Sequence, residues 1–310
     1  MKGIKLVIKH IKVSFLFLSL GILLISCEKE ITLDLPASTP KIVIEGAIET
    51  NQYPYVYITK NMGYFDNVDT NTLKDILITD AIVTVSNGIE TDSLKLVYNP
   101  KYVPPLRYEG NKIKGQAGMS YNLKIEHNGK VFESATTIPP IVDIDSIKFS
   151  YRAEADTFGF LWVYFQDPPE LGNFYRIFSK VEGKDSVFVH QTYSTGDDKL
   201  VNGQLFEYTV VRGKDPAMPS ENYETDMNSD EPPYWAIFVG DKITVKLCSI
   251  DAIHFEFWKS VETQYSSNGN PFAAPTTLKT NISGDALGIW GGYAASFDTV
   301  TVTEDIIIDL

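Results

Sequence analysis

From Tyr121 to Thr136 the chain reads YNLKIEHNGKVFESAT, and few stretches leave so little choice of structure. Tyr121, Leu123 and Ile125 alternate with Asn122, Lys124 and Glu126, a period of two that places the apolar side chains on one face of a strand. Asn128-Gly129 then supplies the pair that a type I′ turn prefers, because both central residues need positive φ, and VFESAT returns. The same grammar recurs upstream. AIVTVS (81–86) sets Ala81, Val83 and Val85 on one face, Asn87-Gly88 predicts a second hairpin, and SLKLVY (93–98) is its return strand. KIVIEGAIE (41–49) and YVYIT (55–59) are β-branched and aromatic runs split by Pro54. Short strands, two hairpins and no helical period predict an immunoglobulin-like or transthyretin-like β-sandwich over residues 41–140, closed by Pro139-Pro140.

Residues 141–310 predict a second β-rich, sandwich-like domain. FGFLWVYF (158–165) is apolar on both faces, as expected for a strand buried on two sides. FYRIFSKV, SVFVH, LFEYTVV, YWAIFV and KITVKL follow as strands, the last with Ile243, Val245 and Leu247 pointing inward. The period then changes. Beyond Asp251, an N-cap residue type, His254, Trp258, Val261 and Tyr265 recur at helical spacing until Asn268-Gly269, which predicts a single helix. The class is therefore all-β: two β-sandwich-like domains, the C-terminal one with a single packed helix.

The N-terminus predicts export. Lys2, Lys5, Lys9 and Lys12 precede VSFLFLSLGILLI (13–25), an uncharged apolar run of 13 residues. A membrane-spanning helix needs about 20, so this run is a signal-peptide core over residues 1–26. It ends in Leu24-Ile25-Ser26-Cys27, which resembles the bacterial lipobox. Only a thiol serves at Cys27, because sulfur takes the diacylglyceryl group as a thioether before cleavage. More than one acyl chain, each CH2 contributing about 0.8 kcal/mol, then holds the chain to a bilayer. An ordinary signal with a chance cysteine is the competing reading. Residues 27–40 (CEKEITLDLPASTP) form a polar tether. The whole chain has 27 Lys+Arg against 40 Asp+Glu; removing the four signal lysines leaves 23 against 40, a net charge of −17. That surface argues against nucleic acid as a partner. With Cys27 lipidated, Cys248 has no partner for an intrachain disulfide.

CEKEITLDLP, KIVIEG with YPYVYITK, ITDAIVTVSNG, GMSYNLKI with GKVFESATTIPP, FQDPPELGNFYRI, GDKITVKLCSID and GNPFAAPTTLKTNISGDALGIWGGYAAS together resemble the Bacteroidota lipoproteins catalogued as domain of unknown function 4249. The resemblance spans essentially the whole mature chain. It implies an outer-membrane lipoprotein encoded beside a TonB-dependent transporter, with no catalytic residue assigned. Glu28-Lys29-Glu30 is similar to the acidic signal that displays such lipoproteins on the cell exterior; a periplasmic orientation is the alternative.

Catalytic constellations are not evident in the sequence. Neither HExxH nor GxSxG occurs, and His127, His190 and His254 read as a turn residue, a strand end and a helix residue near Trp258. Cys248 sits in a strand with no basic or histidine neighbour that would activate it, so a buried, inert thiol is expected. No cofactor is expected, with calcium as the one candidate: Asp226, Asn228 and Asp230 have the spacing of oxygen ligands in a calcium loop. Glu231 replaces the turn glycine and Ile237 the bidentate glutamate, so a solvated loop competes. GDALGIWGGYAAS (284–296) lacks the Lys-Ser/Thr of a phosphate loop and reads as a bent strand. Tyr102, Tyr108, Tyr234 and Trp290 are the candidate contacts for an unidentified small ligand, with core packing the competing fate of Trp290. The leading expectation is a non-enzymatic binding or accessory lipoprotein of an outer-membrane transporter. A surface hydrolase acting on glycan or peptide, and a structural or adhesive module, are the alternatives.

Overall fold

A computed structural model describes residues 40–62, 74–152, 158–217, 232–267, 277–303 and 307–309. In chain order the first half gives β1 (Ile42–Glu49), β2 (Tyr55–Lys60), β3 (Ile82–Ser86), β4 (Thr91–Ser93), β5 (Lys95–Tyr98), β6 (Leu106–Glu109), β7 (Ser120–His127) and β8 (Lys130–Thr137). The second gives β9 (Ser146–Tyr151), β10 (Phe158–Gln166), β11 (Phe174–Val181), β12 (Thr195–Asp197), β13 (Leu205–Val210), β14 (Ile237–Phe238) and β15 (Lys242–Ile250). Helix α1 (Ala252–Ser267), β16 (Leu287–Thr301) and β17 (Ile307–Asp309) complete it. The fold is all-β with one long helix, and no helix among the described residues is long and apolar enough to cross a membrane.

An eight-stranded sheet, ordered β12-β11-β15-β16-β1-β2-β6-β5, is the backbone of the molecule. A four-stranded sheet, β4-β3-β7-β8, shares one core with it, and a five-stranded sheet, β13-β10-β9-β17 with β14 also on β10, shares a second. The first core gathers residues between Ile44 and Ile138 together with Ile282, Ala286, Trp290 and Ala294. The second gathers residues between Val142 and Val302. The sequence places a domain boundary at 140, and the long sheet runs straight across it. Strand β16 is the reason: Leu287–Tyr293 pair in parallel with β1, and Ala294–Thr301 pair antiparallel with β15. This is the GIWGG stretch, and its glycines are required by close approach. A Cβ on Gly288 would collide with the Ile44 carbonyl, and one on Gly292 with Ile138.

The two Asn-Gly pairs behave differently. Asn128 (φ 50°) and Gly129 (φ 74°) form the two-residue turn expected, with His127 paired to Lys130 across it. At the other site only Gly88 takes positive φ (85°). The Asn87 side chain instead accepts hydrogen bonds from Ile89 N (3.0 Å) and Glu90 N (2.8 Å), and the last strand pair is Ser86–Thr91, so the loop holds four residues. The expected return strand also divides: β4 stays beside β3, Leu94 turns into the core, and β5 crosses to the long sheet beside β6.

Three other expectations are corrected. In β10 one face is fully buried, but Phe158, Phe160, Trp162 and Tyr164 are only half-buried, so the strand has one core face and one aromatic outer face. SVFVH makes a single bridge, Val189 to Ser179, rather than a strand. Helix α1 starts where predicted, after Asp251, but it buries His254, Phe255, Phe257, Ser260 and Glu262 and leaves Tyr265 exposed.

Candidate functional site

Of the four aromatic residues singled out in the sequence, two are core residues. Trp290 is fully buried, its Nε1 donating to Tyr121 O (3.0 Å) and its backbone bracketed by the Asn281 amide. Tyr108 is buried, its hydroxyl accepting from Ala81 N (3.0 Å). Neither presents a ring to a ligand, because each side chain fills the first core. Tyr234 lies half-buried beside the Lys214 ammonium (4.9 Å) in the second half. Only Tyr102 joins a charged cluster, described below. Cys27, Asp226, Asn228 and Asp230 lie outside the described residues. Among the described residues no group of three or more His, Cys, Asp or Glu side chains gathers to hold a metal ion.

The chemistry collects on the outer face of the long sheet, and strand parity puts it there. Ile44 and Ile48 of β1, Ile177 of β11, Ile243, Val245 and Leu247 of β15, and Trp290 of β16 face the two cores. Their neighbours Glu45, Ala47 and Glu49, Arg176 and Phe178, Lys246 and Cys248, and Gly291, Tyr293 and Ala295 must therefore face the other way. Helix α1 packs on this face against β16, β11 and β12. Ala47, Cys248, Ile250, Phe255, Tyr293 and Ala295 form a third, small apolar cluster beneath it.

Two carboxylates fasten the helix. Asp251 is the N-cap: its Oδ1 accepts from His254 N (2.8 Å), and its Oδ2 accepts from Thr136 Oγ1 (2.7 Å), which in turn accepts from Gly292 N (2.9 Å). Glu262 accepts four hydrogen bonds of 2.7–3.1 Å, from the amides and hydroxyls of Ser194 and Thr195. The His254 ring rests on Gly291, where a Cβ would land inside it, and meets Tyr293 edge-on at 4.6 Å. Burial drives the His254 pKa down to about 3; the Asp251 carboxylate opposes this and the Arg176 charge adds to it. The imidazole is neutral at physiological pH.

Arg176 is the centre of the face. It is 3 % exposed, and among the described residues no carboxylate forms an ion pair with it. Its guanidinium lies 3.4 Å from the Trp258 ring and 4.8 Å from Phe178, donates from Nη1 to the Tyr293 hydroxyl (2.7 Å), and donates from Nε to Ser194 Oγ (3.3 Å). Ser194 relays the charge to Glu262. Beside it Lys246 binds Glu49 at 2.8 Å and lies within cation–π reach of Phe178 (4.6 Å) and Phe188 (5.2 Å). Cys248 lies wholly buried beside these cations, so the absence of basic neighbours read from the sequence does not hold; burial outweighs their charge and pushes the thiol up to about 12, which still makes it inert at neutral pH.

Away from the helix the same face opens. Glu45 stands on β1 with Tyr57 as its cross-strand partner, and Tyr55 lies two residues along. The Arg107 guanidinium covers Tyr102 at 3.7 Å, Tyr55 at 4.4 Å and Tyr57 at 5.8 Å, donates to the Tyr102 hydroxyl (2.8 Å), and pairs with Glu109 (2.7 Å). Glu45 is exposed although β1 is an interior strand, with four strands on one side and three on the other. Surrounding protein nevertheless desolvates it and raises its pKa, with Arg176 opposing.

Arg176, Lys246, Glu45 and Glu49 were not singled out in the sequence. Their signal was present: each is a charge at an alternate position of an apolar strand, in KIVIEGAIE, FYRIFSKV and KITVKL. The outer face of the four-stranded sheet carries an open depression lined by side chains such as Thr84, Ser86, Thr91 and Lys124.

A comparison with curated proteins finds no match. The profile of the family described as domain of unknown function (DUF4249) matches residues 28–297, nearly all of the chain beyond its first 27 residues, and the chain belongs to that family.

Proposed function

We propose that the protein is a lipid-anchored, non-catalytic binding subunit that serves a TonB-dependent transporter at the outer membrane, facing the cell exterior. The observation that carries this reading is the open end of the sheet's outer face, where Glu45, Tyr55, Tyr57 and Arg107 on strands β1, β2 and β6 stand with Tyr102 of the loop between β5 and β6. Groups fixed by strand register and stacking suit recognition, because little ordering entropy remains to be lost on binding. The buried thiol is held protonated and the buried imidazole is left a weak base, which favours binding over turnover. The anchor rests on Cys27 and the segment before it.

Purification of the native protein from detergent-extracted membranes tests the partnership: recovery of a transporter supports it, and turnover on a glycan or peptide panel in its place overturns it. Cys27→Ala tests the anchor, with loss of palmitate incorporation and release from the membrane fraction expected. A variant that stays membrane-bound removes the lipid from the reading. A calcium ion at Asp226, Asn228 and Asp230 would be an accessory to ligand capture. Calorimetric titration of the wild type beside Asp226→Ala tests it: binding heat in the former alone supports the ion, and identical heats remove it.

A further inference from the structure

Among the carboxylates on the outer face of the long sheet and its helix, four stand near Arg176, Lys246 or Arg107. Glu49 binds Lys246, Glu109 binds Arg107, and Glu262 is saturated by Ser194 and Thr195, with Arg176 one hydroxyl away. Glu45 accepts no hydrogen bond and forms no ion pair with any described residue. Of these four, Glu45 is the one that is open to solvent and has no ion pair among the described residues. The cations offer less to an incoming anion. Arg176 is stacked, donating and almost wholly buried, and Arg107 already holds Glu109 and Tyr102. What the face lacks is a positive charge at Glu45, beside the Tyr57 ring, whose electron-rich face Arg107 covers only at 5.8 Å.

We propose that Glu45, flanked by Tyr57, anchors a ligand through an ammonium or comparable organic cation. The proposal rests on the binding reading above and names the chemistry that reading leaves open. Binding forms a charge-assisted hydrogen bond to a carboxylate that is already desolvated and has no internal partner to give up, so less of the interaction is spent on breaking existing contacts. Among the described residues, the titratable groups that face Glu45 are Tyr57, Tyr55 and Arg176, and burial raises the pKa of both tyrosines, which keeps them neutral at physiological pH.

The probe is n-butylammonium, titrated into the full mature protein and followed by tyrosine ring resonances and by heat, with n-butanol and butyrate as neutral and anionic controls. Saturable binding of the ammonium alone is expected, weakened about tenfold or more in Glu45→Gln and less in Tyr57→Leu. Absence of saturation, equal binding of butanol, or unchanged affinity in Glu45→Gln each overturns the proposal. If a variant fails to fold, the Glu45 carboxyl carbon of the wild type decides: the probe is expected to lower its titration midpoint, and an unmoved midpoint overturns the assignment. None of these readouts involves the transporter, so its failure to co-purify leaves them standing, and their failure leaves co-purification standing.

Discussion

The two faces of the eight-stranded sheet are built from the same strands, yet they solve burial in opposite ways. Toward the cores, Ile44, Ile48, Ile243, Val245 and Leu247 are removed from water with no directional demand, each contributing through the area it hides. On the outer face, Arg176 and Lys246 are buried too, and burying a charge is favourable only when every neighbour is placed for it. Hence the Tyr293 hydroxyl, the Ser194–Glu262 relay, the Trp258 stack and the Glu49 pair. The difference teaches that alternation along a strand separates two faces without saying which one is wet. Here the polar face is dry under α1 and is open at Glu45.

The largest effect is expected on the inner face. Trp290→Ala leaves a cavity where the first core holds its bulkiest fully buried side chain and orphans the Tyr121 carbonyl, costing about 3–5 kcal/mol in chemical denaturation. A loss under about 1 kcal/mol would mean that the core collapses around the gap. Arg176→Met probes the other face. Replacing the guanidinium with a flexible apolar chain keeps the packing but strands Tyr293 and Ser194, so a cost of about 2–3 kcal/mol is expected, and a stabilised variant would show that the buried charge is held at a net loss.

Acid should separate the faces further. His254 has a folded pKa near 3 against about 6.5 unfolded, so the unfolded chain binds the proton first. Its contribution is complete above pH 6.5 and is lost as pH falls toward 3. Between pH 6.5 and 4.5 the wild type is expected to lose on the order of 1–2 kcal/mol more than His254→Gln, and parallel pH–stability curves would remove the imidazole from the account. The smallest effect belongs to an ion pair outside this contrast. Lys41 and Asp285 meet at 2.6 Å, but both are exposed, so Lys41→Met should change stability by less than about 0.5 kcal/mol.

Much of the fold was legible because local chemistry decided it. Asn128-Gly129 takes the turn that its residue types favour, Asp251 caps the helix that starts after it, and Ile243, Val245 and Leu247 point where period two sends them. The candidate site was less legible. Tyr102 was found because aromatic side chains in a proline-rich loop attract notice. Tyr108 and Trp290 were singled out by the same logic but are core residues, since composition does not distinguish a ring that fills a core from one that binds a ligand. Asn87-Gly88 shows the limit even for turns: β4 and β5 join different sheets, and the loop yields to that demand by using the Asn87 side chain in place of a positive φ.

What the sequence determined alone is what depends on neighbours a few residues away: strand alternation, the Asn128-Gly129 turn, the helix start and the acidic balance. What tertiary structure decided is what depends on partners far along the chain. Strand β16 joins β1 across more than two hundred residues, placing Trp290 in a core built by the other half of the chain and Gly291 beneath His254. The same long-range pairing brings Arg176, Lys246 and Glu49 together and leaves Glu45 unpaired, because the field at a charge is set by the groups around it in space, whatever their order in the chain.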